Sequence, residues 1–166
     1  MQIEQVADNT GMAQFIRLPW AVYEGNPHWV PPLIKEMEFV LGDQNPFFHH
    51  AEAAYFLAKN QGNIVGRIAA IIDRNYINTH NEQAGFFGFY EALPDPTIAC
   101  GLLDAASAWL RERDIEVIRG PMNPSTNDEC GFLLEGFDSP PMIMMPYTPR
   151  YYLDHMEHYG LTKSKD

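Results

Sequence analysis

The most constraining feature of the chain is the run from Ala84 to Arg119, in which two strand-like segments flank a strongly amphipathic one. Residues 84–92, AGFFGFYEA, carry Phe86, Phe87, Phe89 and Tyr90, the composition of a buried strand. Asp95 is a candidate N-cap and Pro96 suits a first helical position. Ile98, Leu102, Ala105, Ala106, Trp109 and Leu110 then recur at helical spacing, with Asp104, Ser107, Arg111 and Glu112 between them. The spacing predicts a helix over 96–113, with Arg111 and Arg113 in a last turn whose dipole favours cations. Residues 115–119, IEVIR, read as a buried strand. A strand, a helix and a strand in this order imply a parallel pair joined by a crossover, so the fold class is α/β.

The rest of the chain adds antiparallel strands and helices to that unit. Residues 2–7 are predicted as a short strand. A helix capped by Asp8, Asn9 or Thr10 buries Met12, Phe15, Ile16, Trp20 and Tyr23, with a kink or break at Pro19. GNPHWVPP, 25–32, reads as loop, and a second short helix starts at Pro31 or Pro32 and stops at Gly42. Residues 53–59 and 63–72 form a hairpin about Asn60, Gln61 and Gly62. The stretch 73–83 reads as a polar loop. Residues 120–147 show no periodic pattern, and so long an irregular run in a compact domain points to function. A last helix runs from a Thr148 cap to a Gly160 stop, with Tyr152, Met156 and Tyr159 on one face.

Composition limits the function classes. The balance of 11 basic and 22 acidic residues gives a formal charge of −11, which repels a phosphate backbone and argues against nucleic acid. The same charge is a mild objection to an anionic cofactor, although a local set of N–H groups still binds phosphate on an acidic protein. No apolar run reaches the length of a membrane span. The start, MQIEQVADNT, lacks the basic and apolar regions of a secretion signal. Cys100 and Cys130 are too few for a disulfide framework, so a cytoplasmic location is expected.

Four stretches carry a closer resemblance: NPFFHHAEAAYFLA (45–58), RIAAIIDRNYIN (67–78), GFFGFYE (85–91) and RGPMNPSTNDECGFLLEGFDSPPMIMMPY (119–147). Together with the element order they resemble the GNAT (acyl-CoA N-acyltransferase) superfamily, in a branch related to the bacterial ceramide synthases and of roughly twice this length. The resemblance implies a single GNAT-like domain over 1–166, C-terminally incomplete, in which the final two strands would follow GLTKSKD. The sheet edge left unpaired makes a homodimer a reasonable expectation.

The resemblance also implies acetyl-CoA or another acyl-CoA as co-substrate, lying between splayed strands 84–92 and 115–119, with no metal. Phe87, Gly88 and Phe89 would meet its pantetheine arm; Thr97, Arg119 and Ser125 would meet its phosphates or carbonyls. The acceptor would be a small-molecule or lipid-like amine that attacks the thioester. Asp128 or Glu129 would take its proton, and Asn123 would hold a carbonyl oxygen.

The residues leave a second reading open. Leu93-Pro94-Asp95-Pro96-Thr97 stands where the superfamily has a [QR]-x-x-G-x-[GA] loop. Two prolines remove N–H donors there, and Asp95 adds a negative charge. Met156 stands four residues before Gly160, where many members have a tyrosine. A non-catalytic GNAT-like module, or a part active only with a missing C-terminal half, fits these departures. An open groove and free N–H groups near 94–98 are expected of the first reading, and a filled groove of the second. The polar residues of 119–130 serve equally as turn caps. Cys130 reads as a buried inert thiol. His155 and His158, one turn apart, lack a third ligand for a metal. The methionine-rich 140–146 reads as an apolar channel wall or a packed core strand.

Overall fold

The computed structural model describes residues 1–165. A five-stranded sheet runs in chain order: β1 (Gln2–Gln5), β2 (Ala51–Asn60), β3 (Asn63–Asp73), β4 (Ala84–Ala92) and β5 (Val117–Arg119). Neighbours are antiparallel except β4 and β5, which are parallel. Helix α1 (Asn9–Val22) and the short α2 (Ile34–Val40) lie between β1 and β2 in sequence, α3 (Arg74–His80) between β3 and β4, and α4 (Pro96–Arg111) between β4 and β5. The mixed sheet flanked by helices is the expected α/β architecture, crossover included.

The alternation of each strand divides the core into two layers. Ile68, Ala70, Ile72, Phe87 and Tyr90 pack with Leu102, Leu103, Ala106 and Leu110 of α4 and with Tyr152 and Met156 of α5 (Tyr151–Tyr159). Ala69, Ile71, Phe86 and Phe89 pack on the other face with Phe15 and Ile16 of α1. Asp95 caps α4 by accepting from Thr97 N–H, and Pro96 occupies its first turn. All four aromatic residues of β4 are buried, as a central strand requires.

Several local expectations are corrected. The stretch 73–83 is not all loop: Asp73 caps α3 through Asn75 N–H, and Ile77 packs on the core. Of the kink or break expected at Pro19, the break is absent, since α1 continues to Val22. Trp20 remains 36% exposed because it turns outward against the Trp29 ring. The second helix begins at Ile34, beyond the prolines. Only 117–119 of the 115–119 segment pairs with β4, and Val117 is 38% exposed because nothing pairs with the far side of β5 among the described residues. Thr148 does not cap α5; its hydroxyl accepts from Leu133 N–H instead.

Candidate functional site

The site lies where β4 and β5 part. They pair from Ala84–Val117 to Phe86–Arg119 and no further. Beyond that point β4 carries a bulge: its register against β3 shifts between Arg67 and Ala69, and Phe89 takes φ +49°. A bulge re-aims a strand's polar groups, and here the Phe89 N–H turns to the side that β5 has left.

The chain itself occupies that side. After Arg119, residues 120–131 fold into a small hairpin, β6 (Met122–Asn123) against β7 (Glu129–Cys130). Asn123 Oδ1 accepts from Phe89 N–H at 2.5 Å. A Cβ on Gly88 would stand 1.7 Å from the Met122 carbonyl oxygen, and one on Gly120 2.3 Å from that of Phe87. Two glycines thus let the hairpin's first strand lie directly on β4. Further along, Ala92 N–H donates to the Tyr152 hydroxyl at 3.0 Å, and the Tyr151 hydroxyl donates to Ala92 C=O at 2.8 Å. At these positions the edge expected to be open is occupied from within the chain: the Phe89 N–H and the Ala92 N–H and C=O each have a partner.

The expected phosphate position is closed as well. Asp95 N–H donates to Leu93 C=O, Ile98 N–H to Asp95 C=O, and Thr97 N–H to the Asp95 carboxylate. Pro94 and Pro96 have no N–H. The Thr97 hydroxyl also donates to Asp95, and these bonds hold the Asp95 carboxyl below its ordinary pKa, so it stays anionic. The residues present do not fit a pyrophosphate in the familiar place.

The sequence-predicted residues separate into groups. Phe89 and Asn123 meet directly, and Gly88 meets the same strand of the hairpin. Ser125 donates to Asp128 at 2.6 Å and closes the hairpin turn, with Asn127 N–H on the Ser125 oxygen. Glu129 pairs across from Asn123. Although Glu129 is exposed as a residue, crowding about its carboxyl and then the charges of Glu36 and Asp128 raise its pKa. Phe87 is core. Thr97 belongs to the α4 cap. Arg119 turns away, making two 2.6 Å bonds to Glu82 and one of 2.7 Å to the Tyr76 hydroxyl. Cys130 is exposed rather than buried, because a two-residue edge strand has no layer above it. The 140–146 segment is not a packed core strand: Ile143 is 92% exposed, and Met142, Met144 and Met145 are exposed with it.

A polar cluster behind β4 was not anticipated. Arg67 donates to Phe15 C=O at 2.7 Å and lies 3.8 Å from Glu91, whose side chain is 14% exposed. Tyr152 donates to Glu91 at 2.6 Å, and the Tyr90 hydroxyl lies 2.9 Å from His155 Nδ1. Burial raises the Glu91 pKa and lowers that of Arg67, while each charge pulls its partner back. The available signal was one acid in GFFGFYEA and one base in NIVGRIAAII, opposite charges inside otherwise apolar strands. Groups of histidine, cysteine and carboxylates suited to a metal are absent among the described residues, as is any helix long and apolar enough to cross a membrane.

Known proteins resemble the chain in sequence and in fold. No family model matches it. It is 39% identical over 152 residues to the Escherichia coli K12 protein YghO, a match that covers 92% of this chain and 39% of YghO. It is 40% identical over 157 residues to the bacterial ceramide synthase of Caulobacter vibrioides, covering 93% of this chain and 41% of that protein. The chain thus spans about two fifths of the length of these relatives. An aminoglycoside acetyltransferase from an uncultured soil metagenomic sample, solved with sisomicin, superposes with a TM-score of 0.59 at 17% identity, over 99% of this chain and 90% of that one. A GNAT-family acetyltransferase of Staphylococcus aureus gives 0.50 at 16% identity, over 70% and 71%.

Proposed function

The chain has the fold of the GNAT acetyltransferases, and from that premise we propose that it is the GNAT-fold part of an acyl-CoA-dependent N-acyltransferase. In this reading the chain alone loads no acyl-CoA, and an acyl group passes to an amine only when this part works with further chain. The observation that carries the reading is the self-satisfied β4 edge: Asn123 on Phe89, and Tyr151 and Tyr152 on Ala92. A donor would have to displace all of these bonds, with no N–H left at the α4 start to hold its phosphates. The relatives' greater length supplies the second support.

The test has two arms. Calorimetric and thermal-shift titration of the 166-residue chain with acetyl-CoA, palmitoyl-CoA and free CoA is expected to show no shift. A ligand of the folded state alone would add about 2.7 kcal/mol at a hundredfold excess over its Kd. In the second arm the chain replaces the matching part of the Caulobacter protein, and N-acyl transfer by the chimera is expected. A folded but inactive chimera would remove the acyltransferase reading.

A second reading has its own observation. The Phe89 N–H is held by an amide oxygen, the kind of acceptor an acyl donor also offers. If the chain by itself is the transferase, acetyl-CoA raises its melting temperature in the first arm.

A further inference from the structure

We propose that residues 121–130 form a lid: the β6–β7 hairpin lifts from β4 as one unit and uncovers the strand's edge at Gly88 and Phe89. The inference rests on the reading of that edge as a ligand track only for the ligand's identity, not for the motion.

Three observations carry it. The hairpin is closed on itself, with Gly131 N–H on Pro121 C=O, Met122 paired to Cys130, Asn123 to Glu129, and Ser125 bonded to Asp128. It can leave β4 without losing these bonds. Glycines stand at both ends: Gly120 lies against Phe87 C=O, and Gly131 takes φ +84° with open space where a Cβ would be. Such residues absorb backbone rotation at a hinge with little steric cost. The hairpin is joined to β4 by the Asn123–Phe89 hydrogen bond, and Met122 packs on the core layer that holds Phe86 and Phe89. By contrast, the next stretch of the edge is fastened by Tyr151 and Tyr152, which sit in the α5 packing. The two halves of one edge are thus held by different elements, a hairpin docked through one hydrogen bond and the packing of Met122, and a buried helix.

Amide hydrogen exchange on the intact chain, without ligand, separates these halves. The lid predicts that the Phe89 amide exchanges well before the amides of Ala70 and Ala92. Asn123→Ala should speed Phe89 exchange by about tenfold, the loss of one hydrogen bond to a partly buried donor, and leave Ala92 unchanged. Gly88→Ala, whose new methyl would collide with the Met122 carbonyl, should do the same by pushing the hairpin away. The proposal is overturned if Phe89 exchanges as slowly as Ala70 in the wild type and in Asn123→Ala. It is also overturned if Gly88→Ala deprotects Ala70 and Ala92 together with Phe89, since the hairpin would then be part of the global fold. Pantetheine titration of Asn123→Ala judges the other reading separately. Fast Phe89 exchange with no pantetheine binding keeps the lid and agrees with a chain that loads no donor alone, whereas pantetheine binding overturns that reading and leaves the lid standing.

Discussion

The Tyr152 hydroxyl donates to Glu91 at 2.6 Å while accepting from the backbone N–H of the next residue, Ala92, so a helix α5 side chain completes the edge of a central strand. Tyr152 is fully buried, and burial pushes its phenol pKa well above the usual range. It acts as a fixed hydrogen-bonding group between α5 and β4. Tyr152→Phe keeps the ring, leaves the buried Ala92 N–H without its partner and takes one hydrogen bond from Glu91, which keeps Arg67 nearby. We expect a loss of about 2–3 kcal/mol, read as a lower urea midpoint at constant m-value. An unchanged midpoint would mean that water replaces the hydroxyl.

The Arg67–Glu91 pair should show coupling. Arg67→Met strands a largely buried acid, and Glu91→Gln strands a buried guanidinium, so each single change is expected to cost about 3 kcal/mol. The double variant should cost less than the sum by at least about 1 kcal/mol. Equilibrium unfolding of the four proteins measures this directly, and strict additivity would show that the 3.8 Å separation carries no interaction.

His155 sets a pH dependence whose sign follows from its burial. Desolvation, chiefly, lowers its pKa below the usual 6.5, against the opposing charges of Asp154 and Asp95. As pH falls through 6.5 the unfolded chain takes up a proton that the folded chain does not. Its contribution to stability is therefore complete above that pH and declines below it. The urea midpoint of the wild type should drop between about pH 7.5 and 5.5 by more than that of His155→Gln. Equal drops in the two proteins would assign the pH dependence to other groups.

Arg119 is expected to be a clamp rather than a cofactor residue. Its guanidinium holds the Glu82 carboxyl below its ordinary pKa and joins the α3–β4 connection to β5. Arg119→Lys loses the bidentate geometry and should lower the melting temperature slightly. The response of the chain to acetyl-CoA should be the same with and without the change. A response altered by Arg119→Lys alone would return this residue to the site.

The local order of elements was legible because it depends on periodicity and capping. The Asp95–Pro96 start of α4, the hairpin about Gly62 and the buried aromatic strand 84–92 follow from short-range rules, and the structure reproduces them. Local pattern also set the parallel crossover, since strand, helix and strand leave few other arrangements. Burial of irregular segments was not legible. Cys130 and Met142–Met145 read as interior by residue type, yet they lie outside because no second layer covers them. The filled edge of β4 depends on contacts between residues 34 and 60 apart, Phe89 with Asn123 and Ala92 with Tyr152. Sequence alone determined that strand 84–92 would be buried and which helix would cross over. Only the tertiary structure decided that the Phe89 and Ala92 backbone groups are answered from within, because pairing at that range depends on where distant segments come to rest.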